Sequence, residues 1–353
     1  MNIFFEEINM KKIITAAVVA ASTAVLFAYN PPMGGEEFLR LSNPEMLSGA
    51  SSSATGGPSA NVIPASITYN PALPAGNELI TFDLSGTALI NYDKKDYDKS
   101  SGYAFETGVI VPTKFASFAF TTSYTCSEMV GMPIGKILDI HTGASKDVLD
   151  WLSVGANIYF RSYSATDMDR KYGFGTDVGA VAKFGDIAFL KNVRLGVSLL
   201  NVGKSASFTT IGINPEKNCS KYPTIMTPRG GVAAQFFESG KWKGFFCADL
   251  CMPTFLTNAI CDLAFEFAYG ENLKLNTSWQ YNIREWVEGG SDGICTISLG
   301  VSYRFGTKIG KKESSVIPSF ATQSLYSGIL ALSAGARVDF GQRDTSGAEI
   351  EMW

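Results

Sequence analysis

Three arginines stand where a guanidinium could meet a carboxylate. Arg161, Arg304 and Arg337 each fall on the polar side of a segment whose side chains alternate between apolar and polar. The planar fork of arginine offers paired donors that match the two oxygens of an acid. Each is therefore a candidate partner for the carboxylate of a ligand, or for one on the chain itself. Little else invites chemistry. The single histidine, His141, has no serine and aspartate placed to argue for a catalytic triad. The cysteines are Cys126, Cys219, Cys247, Cys251, Cys261 and Cys295, with no cluster of histidines to complete a zinc site. Cys247 and Cys251 share one strand and sit too far apart to bridge; most of the six are expected to be small, buried, apolar residues. No metal, cofactor or enzymatic activity is expected.

The elements that must carry these residues are strands. In residues 294–306, Ile297, Leu299, Val301, Tyr303 and Phe305 fall on one face, and Thr296, Ser298, Gly300, Ser302 and Arg304 on the other. The pattern recurs. Ile80, Phe82 and Leu84 oppose Thr81, Asp83 and Ser85; Val154, Ile158 and Phe160 oppose Gly155, Asn157 and Arg161; Leu330, Leu332 and Val338 oppose Ser333, Arg337 and Asp339. One greasy and one wet face is how a chain reads when lipid lies outside and water inside. A charge on the lipid face at mid-bilayer costs roughly 2–4 kcal/mol, and the proposed lipid faces carry none at their centres. The charges fall inward instead. Arg161, Lys183, Arg194, Arg229, Lys243, Lys274, Arg304 and Arg337 are nearly matched by Asp83, Glu106, Asp177, Asp249, Asp262, Glu266 and Asp339. Matched charges favour a filled interior over a pore of one sign.

Twelve such strands are clear, and Ala348–Trp353 adds a short thirteenth. Outer-membrane barrels put short turns on one side and long loops on the other. Short turns fall at 112–114, 185–192, 239–241 and 270–272; long connections fall at 93–102, 204–226 and 284–293. One more strand within Pro133–Thr142, followed by a turn or short helix over 143–151, puts the short turns on one side and gives fourteen. The 307–327 connection then stands out, being long yet on the short-turn side.

The 353 residues hold 29 basic and 33 acidic side chains, a net charge of −4, which excludes a basic nucleic-acid footprint. A mean hydropathy of +0.09 is too polar for a bundle of membrane helices. Lys11-Lys12 followed by the apolar run Ile13–Ala28 reads as a signal peptide cleaved near Ala28–Tyr29, with translation starting at Met1 or Met10. The run falls short of the roughly 20 residues that a membrane helix needs. Residues 29–78 differ from the rest, being rich in Gly, Ala, Ser, Pro and Asn with little alternation.

Within that segment, Gly49-Ala50, Gly56-Gly57 and Tyr69-Asn70-Pro71-Ala72 resemble the opening of the FadL/PorV family of outer-membrane barrels. Leu152-Ser153-Val154-Gly155, Asp177-Val178-Gly179, Leu195-Gly196 and Asn201-Val202-Gly203 are similar to the family's central strands. The resemblance implies an all-β fold: a transmembrane antiparallel β-barrel of about fourteen strands with an N-terminal hatch in the lumen. It divides the chain into a signal peptide (1–28), a hatch (29–78) and a barrel (79–353), with Asn70, Pro71 and Ala72 as the hatch motif. The best-known member imports long-chain fatty acids, and another branch serves protein export or surface assembly. The expectation is passive uptake of a hydrophobic small molecule across the outer membrane. The alternative is a non-transport surface antigen, adhesin or envelope-assembly barrel, with outer-membrane lipid and an envelope protein as partners and the 204–226 loop as a contact surface.

Overall fold

The computed structural model describes residues 40–92, 101–129, 132–164, 169–204, 206–207, 221–222, 226–252, 259–283, 287, 295–309, 312–325 and 329–341. Among them fourteen antiparallel strands close on themselves. They are β1 (Ile80–Asn91), β2 (Ser101–Pro112), β3 (Ser117–Met129), β4 (Met132–Leu149), β5 (Leu152–Ser164), β6 (Lys171–Ile187) and β7 (Leu190–Lys204). There follow β8 (Thr227–Ser239), β9 (Trp242–Cys251), β10 (Ile260–Tyr269), β11 (Leu273–Asn282), β12 (Cys295–Tyr303, resuming as Phe305–Ile309), β13 (Lys312–Ser324) and β14 (Ile329–Phe340). Neighbours in sequence are neighbours in space, and β14 pairs with β1 from Ile80↔Phe340 to Asn91↔Ile329. A two-residue ladder joins Ala206–Ser207 to Lys221–Tyr222 outside the barrel sheet. No helix among the described residues is long and apolar enough to cross a membrane.

Closure leaves no open sheet edge around the wall, which is what a strand-built membrane span requires. Phe82, Leu84, Phe105, Phe120, Ile158, Val197 and Leu299 stand exposed on the outer face, while Asp83, Glu106, Asn157, Arg161 and Ser298 are buried within. Outward threonines satisfy their hydroxyls on the neighbouring strand: Thr107 Oγ1 donates to Asp83 O (3.0 Å), Thr176 to Asn157 O (2.6 Å) and Thr277 to Ser298 O (3.0 Å). Leu299→Lys, near mid-height on the outer face, is expected to lose about 2–4 kcal/mol in urea unfolding from lipid bilayers; an unchanged midpoint would contradict a lipid-facing position.

The count of fourteen arises differently from the expected one. The strand in the 133–142 region runs on to Leu149, so 143–149 is strand, not helix or turn. The long 307–327 connection contains β13, and β14 closes the barrel. The suggested closing strand Ala348–Trp353 lies outside the described residues, as do the proposed signal peptide, Cys219 and most of the 204–226 loop. With β13 in place, the hairpins β2–β3, β4–β5, β6–β7, β8–β9, β10–β11 and β12–β13 share one rim, together with Ile80 and Phe340.

β13 lacks a clear strand signal for a physical reason. Pro318 sits at its middle, and proline cannot donate to a ladder. The break in β12 answers it: pairing with β13 runs to Ser302↔Ser319, lapses, and resumes at Phe305↔Val316. The gap at Tyr303 and Arg304 faces Pro318 and Ile317. Arg304 turns its amide the other way, onto Asn272 O at 2.7 Å.

Candidate functional site in the lumen

The lumen is occupied by the chain's own N-terminal segment. Nearly every residue from Arg40 to Ala75 is buried. The segment folds as a four-residue helix, α1 (Pro44–Leu47), and two 3₁₀ turns, Pro64–Thr68 and Leu73–Gly76. Asn43 caps α1 by accepting the Glu45 amide at 2.9 Å, and Pro44 opens it. Met46, Ile63, Ala65 and Tyr69 form a small apolar centre. Ile67 packs on the wall at Ile110 and Ala119, and Ala72 and Leu73 pack on Val181. Small side chains explain the fit, because the segment and the wall come within backbone contact.

Asn70 is the tightest fastening. Its amide nitrogen donates to Ala54 O (2.7 Å) inside the segment and to Ala180 O (3.0 Å) and Val197 O (3.3 Å) on the wall. Its oxygen accepts the Ala72 amide at 3.0 Å. The wall yields space with glycines on three consecutive strands. A Cβ at Gly155 on β5 would fall on Pro71 O, at Gly179 on β6 on Asn70 Oδ1, and at Gly196 on β7 on Ala54 O. Asn70→Ala removes the bonds of both amide hydrogens, one of them shared between two acceptors, and that of the amide oxygen, each worth about 0.5–1.5 kcal/mol net. Bilayer recordings are expected to show frequent current bursts in this variant and a quiet parent; two equally quiet traces would show that Asn70 does not hold the segment.

The inward charges form clusters that tie wall to segment. Arg40 meets Asp262 at 3.0 Å and Ser278 Oγ at 3.2 Å. Arg229 pairs with Asp249 and, at 3.0 Å, with Asp262, and its guanidinium lies 4.2 Å from the centre of the Tyr69 ring. Between them is a cavity of about 10 Å³, room for one water. On β4–β7, Arg161 meets Asp139 at 2.8 Å and Asn201 Oδ1 at 2.8 Å, with His141 3.0 Å from Asp139 and 3.6 Å from Asp177. Near the seam, Arg337 meets Glu45 (3.1 Å), Asn61 Oδ1 (2.8 Å) and Asp339 (3.5 Å). Asn43 Nδ2 bridges Asp83 (3.0 Å) and Glu106 (3.2 Å), and Ser42 Oγ donates to Glu106 at 2.8 Å.

The three arginines singled out by sequence are therefore scattered. Arg161 and Arg337 are buried in separate ion pairs. Arg304 lies at the short-turn rim, 3.8 Å from Asp339 and 3.3 Å from Ser315 Oγ, with its side chain 43% exposed. The structure brings Asn70, Pro71 and Ala72 together against β5–β7. Five cysteines are described and all are free thiols; Cys126, Cys247 and Cys251 are buried.

One feature of the lumen lay outside the sequence reading. At the long-connection end the wet face turns apolar. Leu325, Ile329, Ala331, Leu89, Ala104, Met129, Ile137 and Tyr163 are buried inward residues on the contiguous strands β13, β14 and β1–β5, Leu325 being just past the end of β13. Leu89 lies opposite Ala331, and Ile137 opposite Tyr163. A signal existed: Leu89-Ile90 and Ile329-Leu330 break the alternation with adjacent apolar residues at strand ends.

No protein-family model matches the chain, and no curated protein matches it in sequence. Solved structures do. The Pseudomonas putida toluene transporter TodX is similar at a TM-score of 0.50 and 12% identity, over 85% of this chain and 99% of that one. The Ralstonia pickettii toluene transporter TbuX gives 0.49 at 13% identity over 86% and 99%, and the CymD monoaromatic hydrocarbon channel 0.48 at 11% over 84% and 97%. At such identities the likeness is one of fold alone. The chain shares the fold of the TodX transporter, a closed antiparallel β-barrel that here has fourteen strands.

Proposed function

We propose that the chain is a passive outer-membrane channel for small hydrophobic molecules, with the apolar crescent as the place where cargo is first held. The observation that carries this reading is the crescent itself, buried inward apolar residues on seven adjacent strands of a lumen that is elsewhere mostly polar. Apolar lining is what a hydrophobic ligand site requires. The TodX and TbuX barrels, described as toluene transporters, give a monoaromatic hydrocarbon as one cargo class; a long-chain fatty acid is the other. Arg304, the most exposed of the three arginines, lies at the opposite, short-turn rim and would meet a fatty acid's carboxylate only on exit, while Arg161 and Arg337 would first have to give up a protein carboxylate. Passage past the ion-paired middle requires the N-terminal segment, held at Asn70-Pro71-Ala72, to move. The reading is of a channel and not an enzyme, exported through cleavage of residues 1–28; sequencing the mature N-terminus checks the cleavage.

The test is displacement of a fluorescent fatty-acid probe, and of toluene, from the folded barrel in detergent. Saturable binding is expected to weaken about 5- to 100-fold in Leu89→Gln, because a buried amide without partners costs roughly 1–3 kcal/mol. Absence of saturable binding in a barrel shown to be folded would end the proposal.

A second reading rests on a different observation. Buried ion pairs span the middle of the lumen, and the cavity beside them holds no more than a water. A lumen filled at that level by the described residues suits a non-transport role as an antigen, adhesin or envelope-assembly barrel with a protein partner. A stable envelope complex recovered by pull-down, together with unchanged hydrocarbon and fatty-acid uptake on deletion, would favour it.

A further inference from the structure

The outer face changes character in one sector of the long-connection rim. Glu128 near the end of β3, Lys136 on β4, Arg170 just before β6 and Lys204 at the end of β7 are all exposed there. Parity fixes their direction. Lys136 lies opposite Cys126 and Ser164, and Lys204 opposite Phe174, which stands exposed on the outer face. Arg170 precedes Lys171, whose partner is the inward Tyr163, so it falls beside Ser164 on the outer side. Elsewhere along that rim the outward positions are apolar or uncharged among the described residues, as at Ile90, Tyr103, Leu250 and Tyr281. Glu128 meets Lys136 at 3.6 Å, both side chains about half exposed. Arg170 and Lys204 are not ion-paired among the described residues. Toward mid-wall the same strands turn apolar, with Phe160 stacked on Tyr172 at 5.9 Å and Phe174 beside them. A lysine at the edge of a lipid face can lay its stem on apolar surface and lift its ammonium into the headgroups. That accounts for one cation, and not for the confinement of all three to four adjacent strands of a fourteen-strand wall.

We propose that the outer face of β4–β7 at the long-connection rim seats an anionic lipid of the outer leaflet whose headgroup carries more than one phosphate. The long connections of a membrane barrel face outward, which sets the leaflet. The seat rests on the outer-membrane placement proposed above. Spacing sets the headgroup. Lys136 and Arg170 are two strand spacings apart, about 10 Å at the backbone. Lys136 and Lys204 are three spacings apart and four residues offset, about 19 Å, too wide for one phosphate to bridge. Between the cations lie the outward hydroxyls of Ser162, Ser164 and Tyr172, donors for phosphate or sugar oxygens. The rings of Phe160 and Phe174 offer acyl chains an apolar bed directly below the charges.

Native mass spectrometry of the folded barrel in neutral micelles, titrated with a bisphosphorylated acyl-disaccharide lipid, tests this. Saturable binding is expected. Each cation near a lipid headgroup contributes about fivefold. The triple variant Lys136→Gln, Arg170→Gln, Lys204→Gln is therefore expected to bind about 100-fold more weakly. Glu128→Gln frees Lys136 and is expected to bind up to about fivefold more tightly. Lys146→Gln, outward at the opposite rim, is expected to match the parent. Equal affinity in the parent and the triple variant, both shown folded by the heat-dependent gel shift, overturns the proposal. So does equal binding of the dephosphorylated lipid. Displacement by millimolar inorganic phosphate overturns it in favour of a free anion, and a lipid-independent dimer lost in the triple variant overturns it in favour of a second copy. A folded barrel that does not enter phosphatidylcholine vesicles overturns the membrane placement and the seat with it, whereas the preceding outcomes overturn the seat alone.

Discussion

Replacing Arg229 by methionine is expected to cost about 3–5 kcal/mol in unfolding stability, among the largest effects of any single side chain in the lumen. The guanidinium is buried between Asp249 and Asp262 and covers the Tyr69 ring. Its removal leaves Asp249 with the Ala54 amide at 3.0 Å as its remaining hydrogen-bond partner, and leaves Asp262 to Arg40. An ion pair of this kind contributes little net stability over an apolar substitute, but breaking one side strands a buried charge. Adding Asp249→Asn to Arg229→Met removes the stranded charge and keeps an acceptor for the Ala54 amide. The double variant is therefore expected to recover more than half of the loss. Urea titration in micelles, followed by the heat-dependent gel shift of folded barrels, measures both. A single variant within about 1 kcal/mol of the parent would mean that the cluster does not hold the structure together.

The second large effect concerns conduction. Gly179→Val puts a branched side chain where Asn70 Oδ1 now sits, against a wall of fixed backbone. Overpacking of this sort costs typically about 1–3 kcal/mol, comparable to what the two wall bonds of Asn70 contribute. The contest is close at one site, and the combination Gly155→Ala, Gly179→Ala and Gly196→Ala settles it. Each strikes a different atom of the segment, at Pro71 O, Asn70 Oδ1 and Ala54 O. Gly155 and Gly179 are paired neighbours, and the struck residues are bonded to one another. The combined cost therefore exceeds that of one site, about 1–3 kcal/mol, without being the sum of three. The triple variant is expected to conduct steadily in planar bilayers and to sensitise cells to bulky antibiotics, with the wall still folded. A folded triple variant with the parent's resistance and silent recordings would show that the wall, and not the segment, gives way.

Strand alternation was legible because lipid and water sit on opposite sides of one chain, a contrast strong enough at Ile297–Phe305 or Val154–Phe160 to read without a structure. Legibility failed where that contrast weakens. β4 carries Lys136 and Lys146 on its outer face near its ends and Ile137 on its inner, so neither side is pure. β13 is Ser- and Thr-rich with a central Pro318, which reads as loop until the gap in β12 is seen beside it. Among the site residues, inward placement of Arg161, Arg304 and Arg337 followed from parity. Their partners did not, because Glu45 and Arg337 are 292 residues apart and no spacing rule connects them. Arg40, buried against Asp262, comes from a segment whose composition suggested only small residues.

The links of the N-terminal segment to the seam bear on how such a barrel comes to exist. Asn43 bonds Asp83 on the first strand, and Glu45 bonds Arg337 on the last. The earliest-made and latest-made parts of the barrel thus share one adaptor, two residues apart. A wall that shut before the adaptor was in place would bury Asp83 and Arg337 without it and leave the adaptor to thread a finished ring from its mouth. Docking and ring closure are therefore coupled steps. The meeting of three distant pieces of chain is expected to be slow, since Glu45 and Arg337 stand 292 residues apart.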